Sequence, residues 1–312
     1  MTVPTSTFET YSAVGIREDL ADIITNISPT ETPFMSNVAK GTSDGTYHEW
    51  QIDALAAAAD NAKIEGDDAT NVALTPTTRA GNYTQIADKV IQVSGSDRAA
   101  NNAGRADEMA YQMAMKGLEL KRDMETTLVG TNKARAAGSS GVARQLAPVL
   151  SWLATNVSKE ATGVNPTGDG TDARTAGVAR AFTEAMLTDV IDQIWVSGGN
   201  PSLIMCNSTQ KRAITGFTGN ATKYKEVDDK KIVNAVDVYV SDYGELMVVP
   251  NRFMRQSDVF VLEPDMWSVD YYRDFQTHPL AKTGDSDREQ MLVEYTLMSK
   301  QEAASGIITD LS

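Results

Sequence analysis

Residues 103–129 carry the longest uninterrupted helical pattern in the chain. Apolar residues recur there at spacings of three and four, which places them on one face of a helix with 3.6 residues per turn. Charged residues fill the other sides and exclude a membrane span. We therefore predict a spine helix of about 26 residues, roughly 40 Å long, capped by Asn101 or Asn102. It is either half of a coiled coil or the backbone of an elongated domain. Its predicted packing face consists of Met109, Met113, Gly117, Leu120, Met124 and Leu128.

The composition narrows the class of protein. With 312 residues, 41% of them hydrophobic, the chain can bury a core in one to three domains. A net charge of -14, without a run of Lys or Arg, argues against dedicated nucleic-acid binding. Cys206 is the single cysteine, so we expect a buried thiol and neither a disulfide framework nor a cysteine-based metal site. The N-terminus does not resemble a signal peptide, and we expect a cytoplasmic protein without membrane contact that leaves the cell only by lysis.

Residues 1–45 show little periodicity and are interrupted by Ser, Thr and Pro. Such a segment rarely builds its own core, so we predict an N-terminal arm that lies on a neighbouring surface or subunit. Ile16 and Leu20 mark one amphipathic helix within this arm and are candidate interface residues.

A switch to alternating polar and apolar residues at Thr46 predicts a half-buried strand. We expect its partner at residues 83–93, so that residues 46–98 form a long hairpin with an acidic tip at residues 65–68. A two-stranded ribbon has no second layer of its own against which to bury apolar side chains. The side chains predicted to be buried on a neighbouring subunit are Trp50, Ile52, Ile86 and Val90.

The remainder of the chain alternates between helical and strand patterns. Residues 130–180 read mostly as linker, with one short helix or strand at 146–154. Helical spacing returns at 183–196, behind Thr183 as a cap, and at 208–217. Alternation at 290–299 predicts a strand that ends in a sheet beneath the spine helix. Further strands are predicted at 202–206, 236–240, 245–249 and 258–262, an order that indicates an α+β fold.

The order of arm, hairpin, long helix, irregular region, compact α+β segment and returning strands resembles the major capsid protein of tailed bacteriophages, whose fold encapsulins share. None of the matching stretches is a catalytic signature, and the resemblance, which covers nearly the whole chain, lies in their combined order. These stretches are GRADEMAYQMAMKGLELKRDMETTL, GGNPSLIMCNSTQKRAITGFTG, GELMVVPNRFM, SDVFVLEPDMW and LAKTGDSDREQMLVEYTLMSKQEAASGIITDL.

The resemblance implies a phage major capsid fold of the α+β class, divided into five parts. These are an N-terminal arm at 1–45, an extended E-loop hairpin at 46–98, a peripheral P-domain at 99–182 with the spine helix at 103–129 over a sheet, an axial A-domain at 183–258, and strands that return to the P-domain at 259–312.

The implied function is that of a structural shell subunit without a cofactor. Subunits of this family form hexamers and pentamers that close an icosahedral head around double-stranded DNA, which they enclose without sequence-specific binding. Portal, scaffolding and decoration proteins are the implied partners, and the virion, assembled in the host cytoplasm, is the implied location. Because the sequence begins at the arm, we expect scaffolding to be a separate protein or an already removed segment.

Several motifs invite a chemical interpretation, and each has a structural alternative. GTSDG at residues 41–45 matches a nucleophile elbow around Ser43, but that elbow requires a strand before the serine and a helix after it, and here a strand follows. Asp285, Asp287 and Glu289 suggest calcium, yet the spacing fails the EF-hand pattern, so a solvated turn is favoured. His48 and His278 are too far apart in sequence to suggest a zinc site. We predict no catalytic, cofactor or metal residues.

Three other classes of protein stay open on the sequence alone. An encapsulin-like shell around a cargo enzyme would have the same fold, and a copurifying cargo protein would reveal it. A hydrolase that uses acidic residues would require a pocket holding two carboxylates with separated pKa values. An adhesive or surface-layer module would require export, for which the sequence shows no signal peptide.

Overall fold

A computed structural model describes residues 30–68, 71–100, 107–217 and 238–312. No helix in these ranges is both long enough and apolar enough to cross a bilayer. The helices are Pro33–Asn37 (α1), Gly95–Ala99 (α2), Glu108–Glu125 (α3), Glu184–Val196 (α4) and Ser208–Gly216 (α5). The strands are Ala39–Thr42 (β1), Tyr47–Ile52 (β2), Thr78–Tyr83 (β3), Gln85–Ser94 (β4), Asn156–Ser158 (β5), Leu203–Cys206 (β6), Val238–Ser241 (β7), Gly244–Pro250 (β8), Val259–Leu262 (β9), Trp267–Leu280 (β10), Ser286–Ser299 (β11) and Gly306–Ile308 (β12).

The predicted spine helix is present as α3, but it begins later than predicted. Asp107 has extended backbone angles and caps the helix, because its carboxylate accepts a hydrogen bond of 3.1 Å from the Met109 amide. Asn101 and Asn102, the predicted caps, lie outside the described residues. A π-helical turn, Thr126–Gly130, follows directly on α3. A side chain at Gly130 would collide with the carbonyl oxygen of Phe253, so the helix ends where only glycine fits.

A four-stranded sheet, in the order β1-β10-β11-β4, lies under α3. Alternate residues of β4 point toward the helix, and Ile91 and Val93 pack there with Met109 and Met113. Farther along α3, Leu120 is 1% exposed, and Met124 is fully buried in the main core. Leu128, in the π turn, is fully buried with them. One face of the helix therefore packs on its own chain.

The predicted pairing of the hairpin is wrong. β2 pairs antiparallel with β3, from Tyr47 opposite Tyr83 to Ile52 opposite Thr78. Residues 85–94 form a separate strand, β4, which pairs with β11 about 200 residues later in the chain. The physical reason is burial: β4 has one apolar face that α3 covers, whereas a lone ribbon would leave that face in water.

A second sheet of six strands, in the order β5-β12-β9-β6-β8-β7, carries α4 on one face. Its other face packs through Met205 and Phe260 into the main core with α3. The predicted segment that returns to the P-domain includes β9 and β12. Both strands lie inside this six-stranded sheet. The predicted boundary at residue 259 therefore does not follow the sheets.

The C-terminal part of the predicted arm packs on its own chain, where the prediction allowed either a neighbouring surface or a neighbouring subunit. Phe34 is fully buried and Met35 is 7% exposed, both in the main core. β1 then adds a parallel edge strand to β10. Ile16 and Leu20, the candidate interface residues of the arm, lie outside the described residues.

The short helix or strand predicted at 146–154, within the region that is otherwise predicted as linker, contributes much of the main core. It contains a 3-10 helical turn, Val149–Ser151. Leu146, Leu150 and Trp152 are at most 1% exposed, although residues 146–153 show no regular periodicity. Asn82 anchors this segment: its side-chain amide donates to the carbonyl oxygens of Ala147 and Leu297 at 3.1 and 2.9 Å and accepts from the Ala147 amide at 2.9 Å. A buried polar side chain with these bonds satisfied fixes the segment against the hairpin base.

Candidate assembly surfaces

Between β2 and β3 lies an extended loop of 25 residues, 53–77. All of its described residues are exposed, and its end is a turn in which the Asp67 amide donates to the Ile64 carbonyl at 3.1 Å. Gly66 sits in that turn with a φ of 84°, a conformation that favours glycine. Four large apolar side chains stand in water on this loop: Leu55 (99% exposed), Ile64 (81%), Val72 (84%) and Leu74 (94%).

The base of the hairpin, in contrast, belongs to the subunit core. Trp50 is only 7% exposed and packs against Trp152 with ring centroids 5.4 Å apart. The prediction that Trp50 is buried by a neighbouring subunit is therefore wrong, because its own chain covers it. Ile52 is half-buried on the edge of the same core. The apolar surface left for another subunit lies beyond the base.

The outer face of the four-stranded sheet is open along β4. Ile86 is 48% exposed and Val90 is 46% exposed, because the alternation of β4 turns them away from α3. Their cross-strand neighbours on β11 are Glu294 and Gln290. Ile86 and Val90, both predicted as interface residues, thus lie on an uncovered sheet face next to the hairpin base.

Glu294 holds the hairpin base to this sheet although it is only 1% exposed. It accepts hydrogen bonds from the Thr84 hydroxyl at 2.7 Å and from Nε of Arg273 at 2.8 Å, and it forms an ion pair with Arg144. Arg144 also donates to the Thr84 carbonyl at 2.8 Å. Two guanidinium groups and a hydroxyl thus satisfy the buried carboxylate.

A second buried carboxylate, Glu125, joins three parts of the chain at the end of α3. It is fully buried and accepts hydrogen bonds from the backbone amides of Phe34 and Met35 at 2.7 and 3.0 Å and from the Asn251 side chain at 2.7 Å. Burial raises the pKa of Glu125, and the three hydrogen bonds oppose that rise. The sequence does not predict these contacts of Glu125, since it shows only a glutamate at the border of the apolar stripe of α3.

An aromatic pair is exposed at the end of the six-stranded sheet. Trp195, which is 54% exposed, stacks on Tyr243 with ring centroids 5.1 Å apart. The Tyr243 hydroxyl donates to Asp192 at 2.6 Å, and this hydrogen bond raises the pKa of Tyr243. Trp195 is not among the predicted interface residues. The sequence does indicate that Trp195 is exposed, because it lies outside the buried stripe of α4. That stripe consists of Leu187, Val190, Ile191 and Ile194.

Several of the residues considered for a chemical role make structural contacts. The Ser43 hydroxyl donates to the Gly45 carbonyl at 2.8 Å, and His48 lies 3.0 Å from Asp270. Asp287 pairs with Lys282 and Arg98, which lower its pKa. Cys206 is fully buried, and burial raises the pKa of its thiol to about 12. In the part of the chain that the structure describes, no group of three or more His, Cys, Asp or Glu side chains could hold a metal ion.

A folded core that leaves a long loop with large apolar side chains exposed offers a surface for contact with other protein chains. Solved capsids of phages and of a GTA particle share this fold. The similar structures include the capsid of a native GTA particle (TM-score 0.67, 9% identity, 97% of this chain and 98% of that one) and Microbacterium phage Oxtober96 (TM-score 0.61, 11% identity, 94% and 96%). A third is the structure of the major capsid and decoration proteins of Phage G (TM-score 0.56, 9% identity, 100% of both chains).

Sequence comparison identifies the family. Residues 3–312 match the SU10 major capsid protein family, and the chain belongs to it. The major capsid protein of Escherichia phage Phieco32 is 28% identical over 96% of both proteins. The protein is thus a major capsid protein of a tailed bacteriophage, a structural component of the virion that self-assembles into capsomers. The comparisons do not favour the encapsulin alternative.

Proposed function

We propose that this chain forms hexamers and pentamers that close into an icosahedral head around double-stranded DNA. The observation that carries the proposal is the extended loop, whose four large apolar side chains are at least 81% exposed in the single subunit. Burying such side chains is worth roughly 1.5–3 kcal/mol each before the entropic cost of association, so covering them with another subunit is favourable. Membership of a major capsid protein family supports the same conclusion.

In this proposal a neighbouring copy covers the extended loop together with Ile86 and Val90. Ile52, which is half-buried, contributes at the edge of that contact. Ile16 and Leu20, which lie outside the described residues, are the candidate interface residues of the arm in this proposal. Trp50 is left out, since its own chain buries it.

The two structural parts of the subunit correspond to the implied P-domain and A-domain, but their bounds follow the two sheets. The spine helix and the four-stranded sheet form the peripheral part, and the six-stranded sheet with α4 and α5 forms the axial part. The exposed pair of Trp195 and Tyr243 then lies on the axial part, where copies meet around a capsomer axis.

Portal, scaffolding and decoration proteins complete the proposed set of partners, and the host cytoplasm is the proposed place of assembly. A closed head requires an opening for its DNA, which a shell subunit alone does not provide, and this supports a portal. A decoration protein accompanies the major capsid protein in the structure of Phage G, a similar fold. The net charge of -14 suits an inner wall along which packaged DNA slides without sticking.

The proposal can be tested by electron microscopy and light scattering of the purified chain. The chain is expressed alone and together with the other head proteins of the same phage. We expect closed particles tens of nanometres across that show fivefold and sixfold clusters. A uniform monomer at every salt and protein concentration, or particles that enclose a cargo enzyme and exclude DNA in infected cells, would contradict it.

A further inference from the structure

A cavity of about 460 Å³ opens between α1, α3 and the β1–β10 edge of the four-stranded sheet. Its volume lies within the range of about 300–1,000 Å³ that is usual for ligand sites. The walls are held in place by Glu125, whose carboxylate binds the backbone amides of Phe34 and Met35 in α1. We call this space the α1 cavity; its lining includes Met35, Ser36, Lys40, Lys121, Tyr271 and Phe275.

One wall of the α1 cavity is apolar. Met35 is 7% exposed and belongs to the main core, and the side chains of Tyr271 and Phe275 pack against that core. The two rings have centroids 6.3 Å apart. Both aromatic residues are half-buried, so each keeps part of its surface open. This wall can contact an aliphatic or aromatic group of a ligand.

Two lysines from different elements also line the α1 cavity. Lys121 lies one turn before Glu125 on the same face of α3, and its ammonium group is 5.8 Å from the centre of the Phe275 ring. Lys40 stands opposite Val269 where β1 pairs with β10, and residues in register point to the same face of a sheet. Because Val269 is buried in the main core, Lys40 points to the side of the sheet that α3 covers.

The polar donors of the α1 cavity have no acceptor in the part of the chain that the structure describes. Neither Lys40 nor Lys121 forms an ion pair there, and the Tyr271 hydroxyl donates no hydrogen bond. Burial raises the pKa of Tyr271, so its hydroxyl keeps its proton. Among the described lining residues the only carboxylate is Asp274, which accepts a hydrogen bond of 2.7 Å from the Phe275 amide. The cavity thus carries excess positive charge in a subunit with a net charge of -14.

We propose that the α1 cavity binds a carboxylate that a peptide of a second protein carries beside an apolar side chain. The two ammonium groups and the Tyr271 hydroxyl hold the carboxylate through charge-assisted hydrogen bonds, and the apolar wall holds the neighbouring side chain. An acidic peptide is the partner that charge complementarity favours. An inorganic anion gains nothing from the apolar wall. The site adds to the proposed shell function and does not depend on it.

Two tripeptides with blocked ends test the site on the whole, unassembled chain. Acetyl-Leu-Glu-Leu-amide carries one carboxylate, and acetyl-Leu-Gln-Leu-amide has the same shape without the charge. Saturation-transfer nuclear magnetic resonance measures both dissociation constants. We expect the glutamate peptide to bind about fivefold more tightly or better, because only it accepts charge-assisted hydrogen bonds from both lysines. Inorganic phosphate at the same concentration should not displace it.

Substitutions with matched controls locate the binding in the α1 cavity. Lys40→Met and Lys121→Met each remove one charge at an exposed position, so the variants should fold and should bind the glutamate peptide about fivefold more weakly. The control is Lys63→Met, an exposed lysine of the extended loop. Tyr271→Phe removes only a hydroxyl and should also weaken binding. Tyr272→Phe, at the next position, which is 40% exposed and outside the cavity lining, should not.

Three results would overturn the site. The first is equal affinity for the two peptides, or a loss with Lys63→Met as large as that with Lys121→Met. The second is binding that appears only after residues 54–76 are replaced, because the extended loop would then occupy the cavity. The third is displacement of the peptide by phosphate, which would show a general anion site without a role for the apolar wall. None of these results bears on particle formation, so the proposed function is tested separately.

Discussion

Glu125 shows how a single residue links parts of the chain that are distant in sequence. Its carboxylate closes the first turn of α1, ends α3 and holds the loop at Asn251, all without a cation within hydrogen-bonding distance among the described residues. Burial of an unpaired carboxylate is costly, and hydrogen bonds offset only part of that cost. The raised pKa of Glu125 is the consequence.

The raised pKa predicts a pH dependence of stability. Because the folded-state pKa lies above the unfolded-state value, the folded protein holds the proton where the unfolded chain has lost it. The contribution of Glu125 to the free energy of unfolding is therefore fully present below the ordinary carboxyl pKa of 4.5 and is lost as the pH rises through the folded-state value. Urea unfolding of the unassembled subunit at several pH values should show this slope.

Glu125→Gln should remove that slope and cost about 1–3 kcal/mol at pH 5, since an amide nitrogen cannot accept the hydrogen bond from one of the two backbone amides. Glu119→Gln, at a half-buried position of α3 where the carboxylate pairs with Lys116, is the control and should change stability by less than about 1 kcal/mol. An identical pH slope in the wild-type protein and in Glu125→Gln would contradict the assignment.

Two leucines of α3 offer a matched test of its packing face. Leu120 is 1% exposed, whereas Leu118, two residues earlier, is 38% exposed. Leu120→Asp places an unpaired carboxylate in the main core at a cost of several kcal/mol and should unfold the subunit before assembly begins. Leu118→Asp should leave a folded subunit by circular dichroism. Equal stability of the two variants would refute the assigned face.

At the scale of elements, the hairpin consists of two parts with different roles. β2, β3 and Trp50 stabilise the subunit from within, while the extended loop adds apolar surface that a single subunit leaves exposed. Long strands and a covered helix carry the fold, so the loop can evolve for assembly without a large effect on folding. This separation can be tested by truncation.

Replacing residues 54–76 with a short glycine-containing turn should leave the subunit folded and unable to assemble. The replaced residues that the structure describes are all exposed, so the free energy of unfolding should change by less than about 1 kcal/mol. A longer deletion that extends to Ala80 would also remove half of β3, so a loss of assembly could not be separated from a loss of folding. Circular dichroism and electron microscopy provide the two measurements, and normal particles from the truncated chain would contradict the role of the loop.

At the scale of the whole molecule, one core unites the elements and one sign of charge dominates the surface. The main core contains residues of α1, α3, the 146–153 segment and both large sheets, so the subunit is not a chain of independent units. The net charge of -14 keeps separate subunits apart until specific contacts form. The same charge decides how the protein meets DNA.

We expect no tight binding to DNA at about 150 mM salt, because phosphates and the acidic surface repel each other. A mobility-shift assay with the unassembled subunit measures this directly. Retardation at nanomolar protein would show that a local basic surface outweighs the net charge.

The sequence by itself determined the elements whose patterns are local. The packing face of α3, the apolar strands β6 and β9 and the alternation along β11 follow from periodicity, because the side that meets the core is encoded within a few residues. The family order could be recognised for the same reason. These patterns state which side of an element is buried but not which partner buries it.

The tertiary structure decided the partners. β4 pairs with β11 and not with β2, Trp50 is covered by Trp152, and the segment at 146–153 enters the core without any periodic signal. Each of these contacts joins residues that are far apart in sequence or that lack a repeating pattern. Their free energy depends on surfaces that exist only after the chain has folded, so no local pattern could predict the contacts of Glu125.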